Sequence, residues 1–133
     1  MPITISNALK NTRLQAVDTY ISAGTNPSIL IIYSGPQPAA GAPITTQLNL
    51  AQTNLPDPLA ASIVNGVLTV ASIPLYLISQ DGIAVWWRIL TDLGVWVMDG
   101  NTGSTGSGAS MEVSNTNFIT GSTVDITSFT FAE

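Results

Sequence analysis

Pairs of carboxylates are the first side chains of this sequence to consider for chemistry, because two of them can share the acid and base steps of glycoside hydrolysis. Asp92 and Asp99 flank a predicted β-strand, whose length separates them by about 15–20 Å. Glycoside hydrolysis needs a separation of about 5–10 Å. Asp81 and Asp92 lie at the two ends of the preceding predicted strand and are too far apart for the same reason. The sequence therefore predicts no catalytic carboxylate pair.

The glycine-rich segment 99–108 is a second candidate, for calcium or phosphate. Asp99, Asn101 and Ser104 offer oxygen ligands at close spacing, but the segment lacks the further carboxylates and the distal glutamate of a calcium loop. Its second half has no Lys-Ser/Thr pair and opens no helix, as a phosphate-binding loop would. We expect a flexible loop with no metal and no cofactor.

A nucleophilic serine is the third candidate. Ser107 lies between two glycines, but a serine needs an adjacent base, and the chain contains no histidine. The chain also contains no cysteine, which excludes disulfides and thiolate chemistry. We expect no catalytic residue and no enzymatic activity.

The three tryptophans, Trp86, Trp87 and Trp96, can stack on sugar rings or anchor a core and an interface. The second use is the more common one, and a glycan-binding surface at Trp86 or Trp96 remains the alternative. Arg88 shares a strand face with Trp86 and Leu90. An isolated cation on such a face is expected to pair with a nearby aspartate or with a carboxylate of a neighbouring subunit.

The chain is poor in charge for its size. Only 8% of its 133 residues are charged, and the net charge is −5. Uncharged polar groups are buried at an interface at lower cost than unpaired charges, so this composition favours a protein covered by other subunits. A charge-poor domain that stays in solution is the other interpretation.

The same composition argues against several partners. Three cationic residues cannot neutralise many phosphates, so nucleic acid is not an expected partner. No stretch reaches the length of about 18 apolar residues that a membrane span requires. No basic segment followed by an apolar run marks a secretory signal, and we expect the chain to be made and kept in a cytosol unless it leaves inside a larger assembly.

The elements that position these residues begin with an extended arm, residues 1–6. Ser6 or Asn7 can cap a helix over residues 7–23, and Gly24 is expected to end it in the left-handed conformation. Lys10, Asn11, Gln15 and Asp18 are predicted to lie away from the apolar face of this helix. That face is predicted to contain Leu9, Ala16, Val17, Tyr20 and Ile21, with Leu14 at its margin.

The remaining residues, 28–133, alternate with a period of two and predict an antiparallel β-sandwich or jelly roll of about seven strands. A long connection is expected over 52–64, a loop over 99–108 and a β-bulge near Ser128. The predicted strands are 29–33, 46–50, 66–72, 84–91, 95–98, 110–113 and 123–131. The whole chain is expected to form one domain.

The predicted hairpin 84–98, with its turn at 91–94, is apolar on both faces. One face of a sandwich strand meets the core, so the other face must meet something else. The helix or another subunit can fill that role.

Several segments resemble a family of small phage and prophage proteins. They are Asn7-Ala8-Leu9-Lys10-Asn11-Thr12-Arg13-Leu14-Gln15-Ala16, Leu30-Ile31-Ile32-Tyr33-Ser34-Gly35, Trp87-Arg88-Ile89, Met98-Asp99-Gly100 and Ile126-Thr127-Ser128-Phe129-Thr130. The resemblance covers both ends and the central hairpin and stops over 52–83. It implies a virion component, interpreted as a capsid decoration or cement protein made in the host cytoplasm and located on the capsid surface.

The resemblance implies the major capsid protein and copies of the chain itself as partners, and thus a homo-oligomer. A tail-associated module that recognises host-surface glycan is the alternative function. The residues expected at the interface are Pro2, Ile3, Ile5, Trp86, Arg88, Trp96, Met98 and Phe131.

Overall fold

The computed structural model describes residues 3–132 and shows a mainly β fold with one N-terminal helix, as predicted. Twelve strands occur within that range, and four of them (β5, β6, β10 and β11) have only two residues each. The elements are α1 (Asn7–Ile21), β1 (Ile29–Tyr33), β2 (Asn49–Asn54), β3 (Ala60–Val64), β4 (Val67–Val70), β5 (Tyr76–Leu77), β6 (Gly82–Ile83), β7 (Trp86–Leu90), β8 (Trp96–Ser104), β9 (Met111–Val113), β10 (Asn117–Phe118), β11 (Thr123–Val124) and β12 (Ile126–Ala132).

Eight strands form one curled sheet in the order β2-β1-β7-β8-β9-β12-β4-β3. The strand pairs are antiparallel except β8 and β9, which run parallel. Strand β6 pairs with β10, and β5 with β11, in two small sheets. Because the large sheet curls, strands from both of its ends contribute to one core, whose largest fully buried side chains include Leu30, Leu50, Leu68 and Met111.

The face that α1 turns to the core differs from the predicted one. Its buried residues are Leu14, Asp18 and Ile21. Leu9 and Tyr20, predicted to face the core, are exposed. Asp18, predicted to lie away from it, is buried because its carboxylate accepts hydrogen bonds from the backbone N–H groups of Leu59 (3.0 Å) and Ala60 (3.3 Å).

The ends of α1 are set by hydroxyl groups. Ser6 caps the N-terminus, and its Oγ accepts a hydrogen bond from the backbone of the third helical residue at 3.2 Å. At the other end Ser28 Oγ donates to the carbonyl of Ile21 at 2.6 Å. The helix therefore ends two residues before the predicted position, and the prediction that Gly24 ends it in the left-handed conformation is wrong. Gly24 instead leaves room for Asp92, because a Cβ there would lie 2.5 Å from the carboxylate.

The structure also differs from the prediction at β2 and β3. The predicted strand 46–50 lies at Asn49–Asn54, and the predicted connection 52–64 contains the end of that strand and all of β3. Asn65 (φ 52°) and Gly66 (φ 77°) both adopt the left-handed conformation and join β3 to β4 as a two-residue hairpin. An Asn-Gly pair between apolar runs is a strong hairpin signal.

The predicted loop 99–108 is also wrong over its first half, because β8 continues to Ser104. Gly100 lies against Trp87, and a Cβ on Gly100 would be 2.2 Å from the indole ring. The glycine thus permits close contact within a strand rather than marking a turn.

Three other predictions are confirmed. Strand β1 has its predicted bounds. The hairpin turn at 91–94 joins β7 to β8, with Thr91 N–H donating to the Val95 carbonyl at 2.8 Å. The register of β12 against β9 shifts between Ile126 and Ser128, where the bulge was expected.

Candidate interaction surface

The second apolar face of the β7–β8 hairpin is covered by the chain itself. Tyr33 stacks on Trp86, with 4.5 Å between ring centroids, and Ile44 from the following loop packs on this pair. Arg88 Nη2 donates to the carbonyl of Ala42 in the same loop at 3.0 Å. The loop therefore fills the role expected of the helix or another subunit.

Arg88 and Asp99 form a bidentate ion pair beneath this loop. Nε and Nη2 of Arg88 donate to the two carboxylate oxygens at 2.7 and 2.9 Å, so the predicted pairing with a nearby aspartate is confirmed. The hydrogen bonds to Asp99 raise the pKa of the Arg88 guanidinium, against the opposing effect of burial. The Arg88 Cζ also lies 5.2 Å from the centre of the Trp86 ring.

This ion pair orients Trp96. The indole Nε1 of Trp96 donates to Asp99 Oδ1 at 3.0 Å, and one face of the ring packs on Gly41, where a Cβ would lie 2.8 Å from ring carbons. Trp96 still has 39% of its surface exposed. A fixed, partly exposed aromatic ring loses little conformational entropy when a partner covers it.

Trp96 belongs to an apolar surface formed by α1 and the hairpin, which we call the hairpin–helix surface. Its most exposed members are Tyr20 (58%), Leu93 (86%), Val95 (55%) and Trp96. It contains two adjoining grooves that share Tyr20, with volumes of about 370 and 320 Å³. The larger groove lies between α1 and β8 and is lined by Ala16, Val17, Tyr20, Trp96, Val97 and Met98.

The charge of this surface is low. The six residues that line the larger groove are uncharged, and Asp92 lies in the smaller groove. Asp92 accepts a hydrogen bond from the backbone N–H of Asn26 at 3.2 Å. An apolar surface with a polar rim is typical of a protein–protein contact site.

The structure distributes the predicted interface residues over several places. Trp96 and Met98 lie together in the larger groove. Trp86 is fully buried and Arg88 is only 6% exposed, so neither offers a surface to a partner in this structure. Phe131 is half-buried and packs on the main core through Trp87.

The other predicted interface residues belong to the N-terminal arm. Ile3 is 90% exposed, and Ile5 is half-buried. Ile3, Thr4 and Ile5 line a pocket of about 490 Å³ with Lys10 and Arg13. Pro2 lies outside the described residues.

Sequence reasoning missed Tyr20, Leu93 and Val95. Tyr20 was assigned to the core, whereas α1 buries Leu14, Asp18 and Ile21. The exposure of Leu93 could have been predicted from the sequence, because a large apolar residue in a hairpin turn lies away from the core. A second group of exposed apolar side chains lies on or beside the two small sheets, namely Leu75, Leu77, Ile83 and Ile119.

Because Trp86 is buried, the alternative function, recognition of a host-surface glycan, depends on Trp96 alone.

Within residues 3–132, no cluster of His, Cys, Asp or Glu side chains is large enough to bind a metal ion. No helix in the described part of the chain has the length and apolar character needed to cross a membrane. Comparisons of the chain with protein-family models, curated proteins and solved structures find no match.

Proposed function

We propose that this chain is a structural subunit that docks on other proteins of a phage particle, as a capsid decoration or cement protein. The observation that carries this proposal is the hairpin–helix surface, on which Tyr20, Leu93, Val95 and Trp96 expose apolar area to solvent. The phage setting comes from the sequence resemblance described above. The scarcity of charge over the whole chain supports a protein that other subunits cover.

The energetics favour repeated docking over a single tight contact. Complete burial of one large apolar side chain contributes about 1.5–3 kcal/mol, and these four residues are already partly buried. Association costs about 4–15 kcal/mol in lost freedom of motion. One copy therefore gains a modest net free energy from this surface alone, whereas many linked copies on a shell gain from avidity.

Copy number on purified particles tests the proposal. Particles are isolated by density gradient, and the chain is quantified against the major capsid protein by mass spectrometry. We expect hundreds of copies per particle. A handful of copies would contradict a decoration role and favour the tail-associated alternative, and a chain that never co-sediments with particles would contradict both.

A further inference from the structure

The N-terminal arm and the larger groove are two apolar features that each lack a cover in the isolated chain. The arm presents Ile3 almost fully to solvent. The groove between α1 and β8 has a volume of about 370 Å³ and an uncharged lining. A segment with exposed apolar side chains and an apolar groove are complementary in chemistry.

The described residues of the arm, 3–5, cannot reach the groove of their own chain. Ile3 precedes the helix cap Ser6 by three residues, which allows a reach of about 10 Å along the helix. The groove begins at Ala16, ten residues after the cap, and thus about 15 Å along the helix axis. The groove extends further still, to Tyr20, so residues 3–5 can occupy it only when they come from another molecule.

The charges at the two ends are complementary as well. Lys10 lines the pocket beside the arm, whereas Asp92 lies in the groove that adjoins the apolar one. Lys10 also lies in the first turn of α1, which contains no acidic residue. A cation is unfavourable at the positive end of the helix dipole, so its position favours a carboxylate partner from outside the helix.

We propose that the groove between α1 and β8 binds the arm, residues 3–5, of a second copy of this chain. This inference rests on the proposed function and names the partner of one part of the hairpin–helix surface. The contact is head-to-tail, because a different surface is used on each of the two molecules. Repetition of such a contact gives a closed ring or an open row of subunits.

Mixing of two variants tests this contact. Ile3→Asp damages the arm and leaves the groove intact, and Ala16→Glu places a charge in the groove and leaves the arm intact. We expect the unmodified chain to form oligomers in sedimentation velocity and each variant alone to lose at least 10-fold in self-association. Their mixture is expected to form a dimer, because one intact arm and one intact groove remain.

Thr12→Glu is the matched control for this experiment. It introduces the same charge at another exposed position of α1 that lines neither groove nor the pocket beside the arm, so it is expected to self-associate like the unmodified chain. Far-ultraviolet circular dichroism of each variant reports whether it folds. A mixture that stays monomeric while both folded variants have lost self-association would overturn the head-to-tail contact.

Cysteine cross-linking provides an independent measurement, because the natural chain has no cysteine. Ile3→Cys and Ala16→Cys chains, mixed and oxidised, are expected to give a disulfide-linked heterodimer in higher yield than a mixture of Ile3→Cys with Thr12→Cys. Equal yields would contradict the inference. A chain that is monomeric in solution and yet abundant on particles would overturn this inference and leave the proposed function intact.

Discussion

Single side chains decide what the hairpin can present to a partner. The Arg88–Asp99 pair lies beneath the loop that contains Ala42 and holds the indole of Trp96 through Asp99. Trp86 and Trp96 are both on the hairpin, yet only Trp96 reaches solvent. The buried ion pair therefore orients Trp96 on the surface and adds no exposed charge to it.

Removal of one partner of this pair tests its structural role. Asp99→Ala leaves the buried guanidinium of Arg88 without its carboxylate, and the free energy of unfolding is expected to fall by about 3–5 kcal/mol. Urea denaturation measures this change, and the emission of Trp96 is expected to shift as its hydrogen bond is lost. Asp125→Ala removes a carboxylate at an exposed position and should change stability by less than about 0.5 kcal/mol. An equal effect of both substitutions would contradict the assigned role.

Tyr76 offers a stabilising substitution. Its hydroxyl is buried without a hydrogen-bond partner, and a buried unsatisfied group costs about 1–3 kcal/mol. Tyr76→Phe is therefore expected to raise the free energy of unfolding by that amount in thermal or urea denaturation. Tyr20→Phe alters an exposed residue and is expected to have no effect, and a destabilised Tyr76→Phe chain would show that the hydroxyl has a partner in solution.

The same residue makes stability depend on pH. Burial raises the pKa of Tyr76 in the folded chain above its ordinary value of 10.0, so above that pH the unfolded chain loses this proton first. The contribution of Tyr76 to the free energy of unfolding is therefore fully present below pH 10 and is lost as the pH rises further. Tyr76→Phe should weaken this decline without abolishing it, because burial also raises the pKa of Tyr33.

Elements show how far the sequence alone predicts this fold. Periodicity identifies α1, β1 and the β7–β8 hairpin because each has a regular apolar pattern. It fails at Gly100, where a glycine serves contact with Trp87 instead of a turn, and at β3, where the Asn65-Gly66 signal was present but unused. The role of Gly100 depends on a contact between distant segments, and no local sequence pattern contains that contact.

The docking of α1 on β3 is a second contact of this kind. Asp18 accepts hydrogen bonds from the backbone of Leu59 and Ala60, and Asn11 accepts one from Gly66 at 2.9 Å. Residues of α1 thus bind backbone groups at the beginning of β3 and just after its end. They satisfy N–H groups that a strand at the end of a sheet otherwise leaves unpaired.

Substitution of Asp18 tests this element. Asp18→Ala removes an acceptor from two backbone N–H groups and leaves that of Leu59 only the Ser22 hydroxyl at 3.3 Å. The loss is expected to cost about 1.5–3 kcal/mol because the acceptor is a carboxylate. Hydrogen exchange should become faster at the amides of Leu59 and Ala60, whereas the exchange rates in β7 should change less. Thr19→Ala, at an exposed neighbouring position, serves as the control, and unchanged exchange at both amides in the Asp18→Ala chain would contradict this arrangement.

At the scale of the whole molecule, composition predicts the character of the surface but not its location. The low charge content led to the prediction of a chain that others cover, with the contact on the N-terminal arm, on Phe131 and on the hairpin, where Trp86 and Arg88 were among the expected residues. The structure encloses Trp86 and Arg88 and exposes the turn at Leu93 and the helix residue Tyr20 instead. Which apolar side chains remain outside depends on how one loop folds over the hairpin, and periodicity contains no information on that loop.

An apolar docking surface predicts a distinct response to salt. Attraction between exposed charges is screened as the Debye length falls from about 10 Å at 0.1 M salt to about 3 Å at 1 M, whereas the hydrophobic effect is not screened in this way. Binding of the purified chain to particles that lack it should therefore persist over this range in a co-sedimentation assay. Leu93→Asp, which places a charge on the exposed hairpin turn, is expected to weaken binding at least 10-fold at every salt concentration. Asn115→Asp adds the same charge at an exposed position outside both grooves and should bind like the unmodified chain. Loss of binding by the unmodified chain at high salt would show that charges, and not the hairpin–helix surface, hold the chain on the particle.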